Sequence, residues 1–150
     1  MCFIRRAEGR AGFLTDRLDL HAGRVLDTAG AEVGSVAAVE LVTVGQRHGL
    51  GLPGGHEPRY AVDVDVAGRT VTVGSADDLL VDTTPVGPWT WSAGSVSGSA
   101  AAQTSAHGAP TPAVIADGEV RWGQPRRRVA PGQLVVVYEG DQVAGSALAT

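Results

Sequence analysis

The sequence predicts a mainly β protein: a small β-rich domain with one or two short helices, then a small closed antiparallel β-barrel. Three observations predict it. Aromatics are scarce, with 3 Trp, 2 Tyr and 2 Phe in 150 residues, but valine is frequent, and its branched side chain suits pleated surfaces. Apolar and polar residues alternate in several short runs, the period of a half-buried strand. The 21 glycines fall largely between those runs, where turns need backbone freedom.

Taken in order, residues 8–18 place Phe13, Leu14 and Leu18 on one helical face, the best helix in the chain. Arg24 to Asp27 and Glu32 to Val36 read as two strands around an Ala29-Gly30 turn, and Val39 to Val44 as a third. Tyr60 to Val66 alternates, with Tyr60, Val62, Val64 and Val66 on one face and Asp63 and Asp65 on the other. Ala67-Gly68 then turns the chain into a returning strand with Val71 and Val73. Ser75 with Asp78 suggests a capped helical turn over Leu79 and Leu80.

From Asp82 the chain reads as a second set of strands, which places a division at 1–82 and 83–150. Trp89 and Trp91 flank a Thr and share a strand face. Residues 92–109 are rich in Ser, Ala and Gly and read as either a flexible connection or a poorly specified strand. Asp117-Gly118 marks a type I′ hairpin between Pro112–Ala116 and Glu119–Trp122. Gln133 to Tyr138 is a dense apolar strand, and Gly140-Asp141 turns into a last short one. A closed barrel would remove the exposed edges of this set.

Composition narrows the function classes. A formal net charge of −4 argues against a strongly basic nucleic-acid binder, so any RNA contact would rest on a local patch. One cysteine forms no internal disulfide and needs no oxidising compartment. No apolar run is long enough to span a bilayer, and Met1 to Arg6 lacks the apolar region of a secretory signal. No membrane partner is expected, and the expected location is cytoplasmic. The four histidines show no metal-ligand spacing, so no metal is expected.

The stretch with most chemistry is Thr43 to Leu52, T-V-G-Q-R-H-G-L-G-L. Gln46, Arg47 and His48 place amide, guanidinium and imidazole donors beside a glycine-opened backbone. By physics alone this is a polar, glycine-pinned turn or an anion site. A second basic feature is the run Arg126, Arg127, Arg128, with Arg121 nearby. It is either a solvated face or a phosphate contact, which the planar guanidinium suits. Cys2 is the only thiol, and Arg5 and Arg6 are close enough in sequence to favour its thiolate.

These residues resemble a known family. The 43–52 stretch is similar to the T-x-G-Q-R-x-G-L-G signature of bacterial tRNA-specific 2-thiouridylases. Cys2-Phe3-Ile4 with Gly12-Phe13-Leu14 resembles their C-F-I…G-F-L segment. Gly23 to Asp27 with Gly30 resembles P-G-x-I-V-D-x-x-G, and Pro125 to Gln133 resembles P-Q-R-A-V-x-P-G-Q. Val137-Tyr138 and Gly145 follow at the expected spacing. The resemblance implies a β-rich central domain followed by a six-stranded antiparallel barrel, the back part of that family.

What the resemblance implies for chemistry is sulfur transfer to the wobble uridine of tRNA, with Cys2 as the catalytic persulfide carrier. Gln46, Arg47, His48, Arg126, Arg127 and Arg128 would bind RNA or position domains. The family's nucleotide-binding S-G-G-x-D-S loop has no counterpart in these 150 residues, and the 43–52 loop lacks the Gly-Lys-Ser/Thr of a P-loop. The chain is therefore expected to hold no cofactor and not to adenylate alone. ATP is implied for a separate ATP-pyrophosphatase half. Expected partners are that half, tRNA, and a cysteine desulfurase or sulfur-relay protein.

Two departures from the family pattern matter. Ser105, Ala106 and His107 stand where the family carries R-Y-R in an early barrel strand. His48 stands where it usually carries Lys, giving a donor without a fixed charge. The Ser-Ala-His replacement leaves room for a second reading, a non-catalytic RNA- or protein-binding module, and Cys2 for a third, a stand-alone sulfur carrier.

Overall fold

A computed structural model describes residues 19–54 and 57–150. The expected helix over 8–18 and Cys2 lie outside the described residues. Eleven strands and two 3-10 turns account for the regular structure among the described residues, as a mainly β chain requires. Residues separate into two compact units between Ala76 and Asp77. The 82/83 division read from the sequence falls inside a strand of the second unit, Leu80–Pro85.

The first unit is a four-stranded sheet. β1 (Gly23–Asp27) and β2 (Glu32–Val36) form one hairpin, and β3 (Tyr60–Asp65) and β4 (Thr70–Gly74) form another. The order is β2-β1-β4-β3, and a parallel β1–β4 ladder, with Val25 opposite Val71, joins the hairpins. Local chemistry makes the turns. The Asp27 carboxylate accepts from the backbone N–H of Ala29 and Ala31, both at 2.9 Å, and Gly30 takes φ 85°. Asp65 accepts from the N–H of Gly68 at 2.8 Å in the second hairpin. Val25, Val36, Val39, Leu50, Ala61, Val71 and Val73 close the core over this sheet.

Two expectations fail here. The stretch Val39 to Val44 is not a strand. Val39–Leu41 is a 3-10 turn, because Leu41 and Val42 donate back to Ala38 and Val39 at 3.2 and 3.1 Å. Val39 and Val42, three apart, thereby turn toward one core. In β3 the alternation breaks at Val62. Ala61 pairs with Val73 and Asp63 with Thr72, so Val62 is the extra residue of a β-bulge. The bulge moves Val62 off the face of Val64, and Ala61 joins that face. Val66 lies beyond the strand and is half exposed.

The second unit opens with a 3-10 turn, Asp77–Leu79, the helical turn expected there. Seven strands follow in one antiparallel sheet. They are β5 (Leu80–Pro85), β6 (Thr90–Trp91), β7 (Gly98–Gln103), β8 (Thr111–Ala116), β9 (Glu119–Arg127), β10 (Leu134–Glu139) and β11 (Gln142–Leu148). Their order is β5-β9-β8-β7-β10-β11-β6. The expected six-strand count is exceeded by β6, two residues paired on β11.

No continuous ladder closes the sheet into a barrel. The two sides instead meet at one bridge, Val86 with Ala149. It is flanked by hydrogen bonds from Gly87 N–H to Leu148 O at 2.8 Å and from Thr150 N–H to Pro85 O at 3.1 Å. The Ala-rich stretch 98–103 is a strand held between β8 and β10. Trp89 and Trp91 do share a face, stacked with centroids 5.0 Å apart. Asp117-Gly118 forms a two-residue hairpin loop, but only Gly118 has positive φ, so the turn is not type I′.

Candidate functional site

The 43–52 loop is built by its own side chains. Gln46 is the staple. Its Oε1 accepts from Thr43 N–H at 3.2 Å, and its Nε2 donates to His48 O at 2.8 Å. Its backbone is fixed as well, Gln46 N–H donating to Thr43 O and Ala61 N–H to Gln46 O, both at 2.9 Å. The Gln46 amide therefore shapes the loop from within, and the exposed side chains it positions are Arg47 and His48. Gly45, Gly49 and Gly51 have φ of 87°, 72° and 63°, which L side chains adopt at a cost. Leu50, almost wholly buried, anchors the loop to the core.

The chain entering the sheet is tied to the segment before the loop. His21 N–H donates to one Glu40 carboxylate oxygen at 3.0 Å, and the His21 ring Nδ1 lies 2.9 Å from the other. The His21 backbone N–H, then Glu40's own N–H and the His21 ring, hold the Glu40 carboxyl down at about 2 against an ordinary 4.5.

Beside the loop lies a cavity of about 460 Å³, lined by Val33 of β2, Arg47 and His48, the Leu52-Pro53-Gly54 exit, and Glu57-Pro58-Arg59. That volume lies within the range of about 300–1,000 Å³ usual for small-molecule sites. Among the described residues the lining holds two guanidiniums, of Arg47 and Arg59, and one carboxylate, of Glu57, so its balance is positive. Arg59 and Glu57 were not singled out in the sequence. They belong to no motif; the backbone bonds from Gly45 N–H to Ala61 O at 2.7 Å and from Ala61 N–H to Gln46 O at 2.9 Å bring their segment beside residues 47–48.

The second basic feature is divided by the fold. Arg126 is half-buried, donates to the Thr111 hydroxyl, and places its guanidinium carbon 5.4 Å from the Trp122 ring centroid. Trp122 is in turn fixed by its indole N–H, which donates to buried Thr84 Oγ1 at 2.9 Å. Arg121 is engaged by Glu119, at 2.6 Å from Nε and 2.5 Å from Nη2. Arg127 and Arg128 are exposed. Arg127 is the last residue of β9, and the Arg128 backbone N–H is bonded to Leu79 O at 2.7 Å. Within the run, Arg126 is held against the sheet by Thr111 and Trp122, and Arg127 and Arg128 are the exposed members.

Ser105, Ala106 and His107 lie in the turn between β7 and β8, not in an early strand, and are exposed. Gln103 shapes that turn, its Nε2 donating to Ser105 O at 2.7 Å and Gly108 O at 2.6 Å. Tyr138 OH and Gln133 Nε2 hold the same corner, at 2.8 Å to Gln103 Oε1 and 2.7 Å to Thr104 O. Among the described residues no group of three or more His, Cys, Asp and Glu is arranged to hold a metal. Nor is any helix there long and apolar enough to cross a membrane.

Known proteins match both units. The model of the tRNA methyl transferase PRC-barrel domain matches residues 11–75, and that of the aminomethyltransferase beta-barrel domain matches residues 86–149. The tRNA-specific 2-thiouridylase MnmA of Streptomyces coelicolor is 42% identical over 98% of this chain and 41% of its own length. The MnmA of Mycobacteroides abscessus is 38% identical over 100% of this chain and 46% of its own. The chain thus spans less than half the length of the curated relatives it matches. Aligned from end to end with their C-terminal part and matched in order by both domain models, the chain belongs to the tRNA-specific 2-thiouridylase family.

Proposed function

We propose that this chain is the sulfur-delivering, RNA-positioning part of a tRNA 2-thiouridylase, working with an ATP-pyrophosphatase half. The observation that carries the reading is the family match over the whole chain, together with a glycine-pinned loop that presents Arg47 and His48 at a positively lined cavity. The adenylating half activates the C2 oxygen of the wobble uridine with ATP and releases pyrophosphate. A desulfurase or sulfur-relay protein loads Cys2 as a persulfide.

The terminal sulfur of that persulfide attacks C2, and AMP departs with the former C2 oxygen. A thiolate of the adenylating half then attacks the Cys2 sulfur. The S–S bond breaks, its electron pair stays on the sulfur bound to C2, and the two cysteines are left as a disulfide. Sulfur ends on the uridine with no further oxidant. Arg47, Arg127 and Arg128 supply fixed positive charge to RNA phosphates, and Gln46 holds the loop from which Arg47 projects.

A second reading is a non-catalytic RNA- or protein-binding module, favoured by Ser105, Ala106 and His107, where guanidiniums are missing from an exposed turn. A third, a sulfur carrier for another thiolation pathway, uses Cys2 without the RNA surface. A tRNA thiolation assay with and without the adenylating half separates them. The proposal expects 2-thiouridine only when both are present. Thiolation by the adenylating half at an equal rate without this chain would contradict it.

A further inference from the structure

We propose that the cavity beside the 43–52 loop is a pocket for a single unpaired nucleotide, with its phosphate on Arg47 and Arg59 and its base against an apolar wall. The inference deepens the proposed RNA contact and rests on that reading for the source of the nucleotide. Three observations carry it.

The lining is chemically divided. Arg47 and Arg59 supply two planar guanidinium forks, each able to donate two hydrogen bonds to one phosphate. Val33, Leu52, Pro53 and Pro58 supply apolar surface in the same cavity. An inorganic anion would use only the first part, and an apolar ligand only the second. A nucleotide has both, and a volume of about 460 Å³ suits a ligand of that class.

The charged groups are uncommitted. Among the described residues no ion pair or hydrogen bond engages the side chains of Arg47, His48, Glu57 or Arg59, whereas Arg121 is engaged by Glu119 and Arg126 by Thr111. A guanidinium held by its own protein must give up that partner to bind phosphate, and these two need not.

The loop is preorganised. Gln46 bonds and three positive-φ glycines set its backbone before any ligand arrives, which lowers the ordering cost of binding. His48 and Glu57 add a ring donor and an acceptor for base or ribose edges. A base can enter such a pocket only out of its helix stack, so the RNA that fits is a loop, bulge or single strand.

The test is calorimetric titration of the full chain with uridine 5′-monophosphate, uridine, and single-stranded oligouridylate. Saturable binding of the two phosphorylated probes, with uridine far weaker, is expected. The double variant R47Q/R59Q should weaken both at least about tenfold, since charged hydrogen bonds are lost. The charge-matched control R24Q/R69Q alters two exposed arginines outside the lining and should leave affinity unchanged. Tighter binding of the oligonucleotide identifies RNA as the source, and equal affinity a free nucleotide. Both support the phosphate-and-base chemistry.

Absence of saturable binding to either phosphorylated probe, or an equal loss in the control, would overturn the pocket. Binding through Arg47 and Arg59 in a chain that has no part in thiolation would leave the pocket standing and remove the proposed function. Thiolation without nucleotide binding would do the reverse.

Discussion

Gly34 of β2 and Gly51 of the signature loop cross backbone against backbone. A Cβ on Gly34 would lie 2.6 Å from the Gly51 carbonyl oxygen, and one on Gly51 would overlap the carbonyl oxygen of Ser35. Gly51 also sits at φ 63°. The crossing packs the end of the loop against the strand that carries Val33, so one wall of the cavity depends on two missing side chains. Gly51→Ala should destabilise the first unit by about 2–4 kcal/mol, from left-handed strain plus backbone overlap. Urea unfolding followed by circular dichroism checks this, and an unchanged midpoint would show that the crossing is not tight.

Gln46→Ala removes both staples of the loop, Thr43 N–H to Oε1 and Nε2 to His48 O. The expected cost is about 1–2 kcal/mol, since two modest hydrogen bonds are lost at a partly exposed site. Gln46→Glu keeps the acceptor for Thr43 but sets a carboxylate against the His48 carbonyl, so it should recover only part. Hydrogen exchange of the Thr43 amide should accelerate in the alanine variant and stay slow in the glutamate variant.

Glu40 gives the first unit an acid-side pH dependence. Its folded pKa of about 2 lies below the ordinary 4.5, so the folded state favours the carboxylate. The contribution is fully present above about 4.5 and is lost as pH falls through about 2. Glu40→Gln should remove this window. Melting temperatures of wild type and variant, compared from pH 6 down to pH 2, should converge toward the acid end. Parallel curves would assign the acid sensitivity elsewhere.

The three arginines after Pro125 should behave differently. Arg126→Ala loses the Thr111 hydrogen bond and the Trp122 contact and should cost about 1–2 kcal/mol of stability. Arg127→Ala with Arg128→Ala should instead reduce the slope of log affinity for tRNA against log salt by about 1–2. Filter binding at several salt concentrations measures it. An unchanged slope in that pair would remove Arg127 and Arg128, at and just after the end of β9, from the RNA surface.

Strands with side chains that mark their period were legible in the sequence, and those without were not. β1, β2, β4 and β10 follow their apolar residues. β7 is largely Ser and Ala, which mark no strand face, and only its neighbours β8 and β10 make it a strand. The run Val39 to Val44 suits a strand by composition, yet the i, i+3 spacing of Val39 and Val42 suits a 3-10 turn onto the core equally well. The Val62 bulge left no mark, since the Val-Asp alternation of the sequence runs through it unbroken although the pairing shifts by one residue.

At the site, Gln46, Arg47 and His48 stood out as donors, but that Gln46 spends its amide on the loop is a matter of local geometry. Arg59 was hidden because the cavity joins segments that only the fold brings together. The expected helix over 8–18 and Cys2 lie outside the described residues.

The central claim is that sulfur reaches tRNA through Cys2. The most direct measurement is tRNA thiolation by wild type and Cys2→Ser, each combined with the adenylating half and a sulfur donor. Persulfide-selective alkylation and mass spectrometry should follow residue 2 in the same reactions. The account predicts a Cys2 persulfide in wild type, formed faster when the adenylating half is present, and loss of 2-thiouridine from the serine variant with its circular dichroism unchanged. Full thiolation by Cys2→Ser would contradict the account.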